Sequence, residues 1–193
     1  LLANAFIGAV FSADGAEVET RIAALGSDVD RVLNREPQAF DALSRRALAD
    51  LSKDAARGDT RRPLHWPLAF PHVFQAGSGF DAIIGNPPML GGRRISFRHS
   101  NALLAYLKRW LLGPAGTTDL CVYFLLRAAL LVGRPGFIGL VLSDIVAQGE
   151  SRTNGLERLL ADGFTLHSCV PSRTWPGAAG VKACSNDTEF ASA

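Results

Sequence analysis

Asn86-Pro87-Pro88-Met89 is the stretch whose residue types and spacing could do chemistry. A primary amide offers an acceptor oxygen on the Asn86 side chain, and the Asn86 backbone carbonyl is a second acceptor that Pro87, lacking an N–H, cannot match. Two acceptors held rigidly side by side receive both hydrogens of an exocyclic amino group. The nitrogen lone pair is then held out of conjugation with its ring and aimed at an electrophile. Catalysis of this kind works by orientation and electrostatics and needs no strong base. Pro87 also disfavours the α region for Asn86, so the amide leaves the preceding segment on extended backbone.

The elements that must position this amide are readable around it. Asp81 aside, Phe80 to Ile84 is an apolar run rich in β-branched residues between Gly79 and Gly85, which predicts a short strand buried on both faces in a parallel sheet. The prolines end it, because neither can donate to a ladder. Asn86 therefore stands at the carboxyl end of a strand, where open α/β sheets place their ligands. Further on, Thr118 or Asp119 can cap a helix over Leu120 to Leu131 that is apolar nearly all round. A strand over Gly136 to Ser143 follows the turn Arg134-Pro135-Gly136, then a helix over Ser151 to Asp162 stopped by Gly163, then a strand over Phe164 to Val170. This alternation predicts an α/β fold, a Rossmann-like doubly wound sheet.

Upstream the pattern is helical. Leu1 to Phe11 is apolar throughout and fits either a helix or a strand. Asp14 to Leu25, Asp28 to Leu33 and Phe40 to Leu51 have helical spacing, the last with Phe40, Leu43, Ala47, Leu48 and Leu51 on one stripe. The charges of this portion (Arg31, Arg35, Arg45, Arg46, Asp50, Lys53) predict a solvated face. Arg57 to Pro63 is a polar, basic connector, and Ala76-Gly77-Ser78-Gly79, which precedes a strand, reads as a turn and not as a nucleotide loop. Asn101 to Leu112 predicts a helix with Leu103, Leu104, Leu107 and Leu111 inward, stopped by Gly113-Pro114.

A chain of 193 residues with 48% hydrophobic and 20% charged residues is long enough for a real core and is not a disordered sequence. A net charge of +2 gives no global basic field, so any nucleic-acid binding rests on local patches. Cys121, Cys169 and Cys184 form no CxxC pair, which predicts neither a disulfide framework nor a zinc site and fits a reducing cytoplasm. The apolar run Leu120 to Val132 is too short to span a bilayer and carries Arg127. The opening Leu1-Leu2-Ala3 has no initiator Met and no basic signal-peptide start, so the chain is expected to be a piece of a longer protein.

The whole phrase Phe80-Asp81-Ala82-Ile83-Ile84-Gly85-Asn86-Pro87-Pro88 resembles the catalytic motif of S-adenosylmethionine-dependent N6-adenine DNA methyltransferases, in particular the large restriction–modification methylases. That motif is usually Asn-Pro-Pro-aromatic, and Met89 departs from it where a ring would stack on a flipped-out base. A polarizable Met packs against a ring less well. The phrase His65-Trp66-Pro67-Leu68-Ala69-Phe70-Pro71-His72-Val73-Phe74 is similar to one found upstream of the catalytic strand in this family. So are Asp119-Leu120-Cys121-Val122-Tyr123-Phe124, Ser143 to Arg152, and Ser172 to Ala179. The resemblance covers roughly Leu64 to Ala179 and implies a partial class I methyltransferase fold.

It further implies that Asn86 and the Pro87 region hold the adenine amino group, with Pro88 and Met89 completing the catalytic loop, and that S-adenosylmethionine is the cofactor and double-stranded DNA the partner. The methyl group is then attacked directly by the amino nitrogen, the proton goes to solvent, and no metal is required. The family's strand-then-glycine-rich cofactor motif is absent from these 193 residues, so cofactor-binding residues stay unassigned. Arg93, Arg94 and Arg98, in an exposed loop beside Gly91 and Gly92, are expected to meet DNA phosphates. Gln148 and Arg152 can face DNA, Asp119, Tyr123 and Phe124 are support, and His65 and His72 are structural. A fused or separate restriction endonuclease, in a restriction–modification or phage-defence system, would be a further partner. The division expected is 1–63 helical, 64–181 catalytic and 182–193 an irregular tail, with a truncation or frame change near Gly180. Two other readings are an inactive DNA-binding remnant of such an enzyme and a methyltransferase acting on cytosine N4 or protein glutamine.

Overall fold

The computed structural model describes residues 1–13, 17–53, 60–112, 117–170, 173–174, 182–184 and 190–192. Its helices are α1 (Leu2–Ser12), α2 (Glu17–Leu33), α3 (Ala39–Ser52), α4 (Trp66–Ala69), α5 (Pro71–Phe74), α6 (Gly92–Arg98), α7 (Asn101–Leu107), α8 (Leu120–Leu131), α9 (Gly149–Arg152) and α10 (Arg158–Ala161). Its strands are β1 (Phe80–Gly85), β2 (Val132–Leu140), β3 (Leu142–Ser143), β4 (Phe164–Leu166), β5 (Arg173–Thr174), β6 (Lys182–Cys184) and β7 (Phe190–Ser192). The chain divides into two compact units, one of Leu1–His65 with Ile95–Leu107, the other of Trp66–Arg94 with Lys108–Ala193.

The first unit is helical. The ambiguous apolar start is a helix, α1, with Ala5, Ala9 and Val10 buried. The two short segments expected next fuse into the single helix α2. In α3 the buried residues are Ala39, Leu43, Ala47 and Leu51, one row at a spacing of four. Phe40 and Leu48, expected on that stripe, belong to the neighbouring row and are exposed. The apolar packing joins Ala5, Leu43 and Ala47 to Leu25 and Val32.

Part of the charged face is not merely solvated. Arg21 donates to Ser12 Oγ at 2.6 Å and to Asp50 Oδ1 at 3.3 Å, Lys53 Nζ donates to the Ser12 carbonyl at 2.8 Å, and Arg46 pairs with Asp28. These contacts tie α1, α2 and α3 together, which corrects the expectation for Arg46, Asp50 and Lys53.

The second unit carries the sheet, in the order β1-β2-β7-β4. β1 runs parallel to β2, with Ile83 opposite Ile138 and Ile84 opposite Gly139. β7 is antiparallel to both β2 and β4, so β4 runs the same way as β1 and β2. A separate antiparallel set has the order β3-β6-β5. Val122, Leu125 and Leu126 of α8 and Leu159 of α10 pack with Ile138, Leu140, Leu142, Val146 and Phe164, and Ile83 and Met89 pack against that core. Each fully buried aliphatic side chain such as Leu125 or Ile138 stabilises the fold by about 1.5–3 kcal/mol.

Several expectations are corrected here. β1 is not buried on both faces. Ile83 faces the core, but the next side chain must point the other way, and Ile84 is 86% exposed. Phe137, in β2 on that same opposite face, is 45% exposed. Among the described residues α8 and α10 both pack on one face of the sheet, and the antiparallel β7 makes the sheet mixed; its parallel β1–β2 pair is compatible with a partial methyltransferase fold. β2 starts at Val132 and absorbs the Arg134-Pro135-Gly136 segment expected as a turn, while β4 ends at Leu166, well short of Val170. The helix expected over Ser151 to Asp162 is α9 and α10 joined by a wider turn at Thr153–Glu157, and Gly163 with φ +91° ends it. The tail expected to be irregular contributes β6 and β7. The Gly113-Pro114 stop, Arg57 to Asp59 of the connector, Trp175 to Ala179 and Gly180 lie outside the described residues.

Candidate active site

The site begins where β1 is anchored. Phe80, its first residue, is met by the rings of Trp66, Phe70 and Phe74 at centroid distances of 5.6, 5.6 and 5.3 Å, all near edge-to-face. Trp66 and Phe70 stack on each other at 5.8 Å. The aromatic and proline-rich phrase thus has a packing job: α4, α5 and Phe70 between them deliver three rings to the root of the strand, in geometry that adds to simple burial. In the first unit, His65 Nε2 lies 2.7 Å from Asn4 Oδ1, a structural contact. His72 is exposed. No group of three or more His, Cys, Asp or Glu side chains among the described residues is placed to hold a metal ion.

At its other end β1 is fixed again, because the Gly85 carbonyl accepts from the Val141 amide at 3.0 Å. The next four residues are the Asn86-Pro87-Pro88-Met89 stretch expected to form the catalytic loop. Asn86 is exposed, Pro87 is buried, Pro88 is exposed, and Met89 is half-buried and packed on the core. Beyond them the Leu90 amide donates to Asp119 Oδ1 at 3.2 Å, and the Leu90 carbonyl accepts from the Leu120 amide at 2.9 Å. Asn86 is therefore carried on a short, proline-stiffened bridge secured at both ends.

Asp119 is 3% exposed and also caps α8, its Oδ1 accepting from the Cys121 amide at 2.9 Å. Its own amide donates to the buried Ser151 Oγ at 3.1 Å, Asn154 Nδ2 donates to Thr118 Oγ1 at 2.8 Å, and the Thr117 hydroxyl donates to Glu150 at 3.0 Å. Gly92 approaches this segment so closely that a Cβ there would lie 2.6 Å from the Thr118 carbonyl oxygen. Ser151, Asn154 and the Leu90 backbone were not legible as site residues, since their partners are far away in sequence. The one available sign was a capping residue before an apolar helix.

A groove of about 510 Å³ borders Asn86 along β1 and α8, lined by Ile84, Pro88, Phe124 and Arg127 among others. Its wall is mostly apolar. Trp66, Asn86 and Arg127 supply its polar side-chain atoms, and the half-exposed ring of Phe124 supplies an aromatic face. Met89 is not on this wall, so the side chain expected to pack on a base faces the core instead. Burial pushes the Cys121 thiol up to about 12, with the negative charge of Asp119 adding to it, and burial pushes the Tyr123 phenol up to about 12. Neither is a poised nucleophile.

Arg93, Arg94 and Arg98 are exposed as expected, but on a helix, α6, and not in a loop. Arg94 and Arg98 are one helical turn apart, and none of the three has an ion-pair partner among the described residues. Gln148 is exposed just before α9, whereas Arg152 pairs with Glu157 at 3.0 Å.

A family model described as Eco57I restriction-modification methylase matches residues 21–170. No curated protein and no solved structure matches the chain.

Proposed function

The chain belongs to the Eco57I restriction-modification methylase family, and from that premise we propose that Asn86 and its two prolines present an adenine amino group of DNA for N6-methylation by S-adenosylmethionine. The observation that carries this reading is the placement of Asn86: exposed at the carboxyl end of β1, on an apolar groove, between two anchored ends. The amide oxygen and a neighbouring backbone carbonyl accept the two amino hydrogens, which fixes the nitrogen lone pair out of the ring plane. Phe124 and Ile84 offer the base an apolar wall once it has left the stack. The proton released on methylation goes to solvent. α6 supplies Arg93, Arg94 and Arg98 for DNA phosphates.

S-adenosylmethionine supplies an electrophilic methyl group on a sulfonium. Its ribose and amino-acid ends need several polar partners, and the groove's polar side chains are those of Trp66, Asn86 and Arg127. Three polar side chains are too few to hold both polar ends of the cofactor in this groove.

The test is transfer of a labelled methyl group to unmethylated duplex DNA, followed by hydrolysis to nucleosides. N6-methyladenine is expected, reduced about 100-fold or more in Asn86→Ala with an unchanged circular dichroism spectrum. N4-methylcytosine in its place would overturn the choice of base. A second reading, a DNA-binding chain that transfers nothing, is favoured by the inward Met89 and by the small polar complement of the groove. It predicts DNA binding with no label in any nucleoside.

A further inference from the structure

We propose that Asp119 is a positioning residue for the Asn86 loop, acting through the Leu90 amide, and that with Ser151 it makes the register of that loop depend on α9. The inference deepens the reading of Asn86 as the group that holds the substrate amino nitrogen, and rests on it.

Two hydrogen bonds run in opposite directions across the same pair of segments. Asp119 Oδ1 receives the Leu90 amide at 3.2 Å and the Leu90 carbonyl receives the Leu120 amide at 2.9 Å. A pair of this kind fixes both separation and direction. The missing side chain of Gly92 lets the loop lie directly on Thr118. At the other end, the Gly85 carbonyl is held by Val141. Four residues thus span two fixed points, and Pro87 and Pro88 remove much of the backbone freedom left between them. Shifting the Leu90 end moves the Asn86 amide, because little in between can absorb the change.

The Asp119 segment is held from its far side as well. Ser151 Oγ accepts from the Asp119 amide, Glu150 accepts from Thr117, and Asn154 donates to Thr118. Glu150 and Ser151 are in α9, whose first turn directly follows the exposed Gln148. A ligand contact at Gln148 would therefore reach the catalytic loop through α9, Asp119 and Leu90, all inside one compact unit.

The experiment compares Asp119→Ala and Asp119→Asn by amide hydrogen exchange and by steady-state methylation. Asp119→Ala is expected to speed exchange at Leu90 by about 10- to 100-fold, the range that a hydrogen bond to a charged group is worth, with Leu125 and Ile138 still protected. Asp119→Asn keeps an acceptor oxygen and is expected to restore most of the protection. In turnover, Asp119→Ala should lower kcat about 10- to 100-fold with the KM for DNA unchanged, and Asp119→Asn should recover it. Unchanged exchange at Leu90, equal loosening throughout the unit, or a change in KM alone would overturn the proposal. Wild-type protein that shows the exchange pattern but methylates nothing would overturn the function and leave the tie itself established.

Discussion

Asn86 stands in the open because its neighbours do not. Pro87 and Met89 turn inward, and the alternation leaves the amide of Asn86 outside. The outward place of a polar amide follows from its residue type, which is why Asn86 is legible in the sequence while the destination of Met89 is not. A Met reads equally well as a ring partner or as core filler, and only the position of α8 decides between them. Cys121 shows the same dependence on surroundings. Its thiol holds its proton up to about 12, since burial and the Asp119 charge both oppose the thiolate. The unfolded chain gives up that proton near 9, so this site's contribution to stability is intact below about 9 and falls as the pH rises from there towards 12. Iodoacetamide at pH 8, with mass spectrometric mapping, is expected to label the exposed Cys169 readily and Cys121 only after denaturant is added. Equal labelling rates in the native protein would contradict the burial.

At the scale of elements, β1 and α8 do most of the positioning, and both were readable: β1 from its apolar run and prolines, α8 from its capping Asp and unbroken hydrophobicity. The surroundings of β1 were read less well. A run of apolar residues predicts cover on both faces, yet cover depends on what packs there, and α8 and α10 serve the same side. The two glycines predict a loop for the arginine-bearing segment, whereas Gly92 serves a close approach to Thr118 and the helix starts at that point. The packing role of the aromatic phrase is not legible in its residue types, because it depends on Phe80, which three rings hold at the root of β1. Phe80→Ala is expected to cost about 3 kcal/mol, read as a lower urea midpoint with an unchanged slope. A loss below about 1 kcal/mol would mean that the rings hold one another and not the strand.

At the scale of the whole molecule, the least legible feature is the sheet order. Phe190 to Ser192 is too short for any period to declare itself, and the stretch from Lys182 onward reads as patternless. In the fold that strand separates β2 from β4 and pairs with both. Removal of residues 190–193, which takes away β7 and leaves β6 in place, is therefore expected to open two strand edges at once. The shortened chain should unfold at a distinctly lower urea concentration and aggregate at micromolar concentration, followed by light scattering. An unchanged midpoint would show that β2 and β4 do not depend on β7.

The position of β7 also sets a timetable. A ribosome makes β1, β2 and β4 before it makes the strand that belongs between the last two. Until Phe190 to Ser192 emerges, the nascent chain has a gap inside its own sheet, and any early contact between β2 and β4 would have to be undone. The Asn86 loop, by contrast, needs nothing made later than the residues of α9 and Asn154. The site can be assembled while the sheet behind it is still waiting for its last strand.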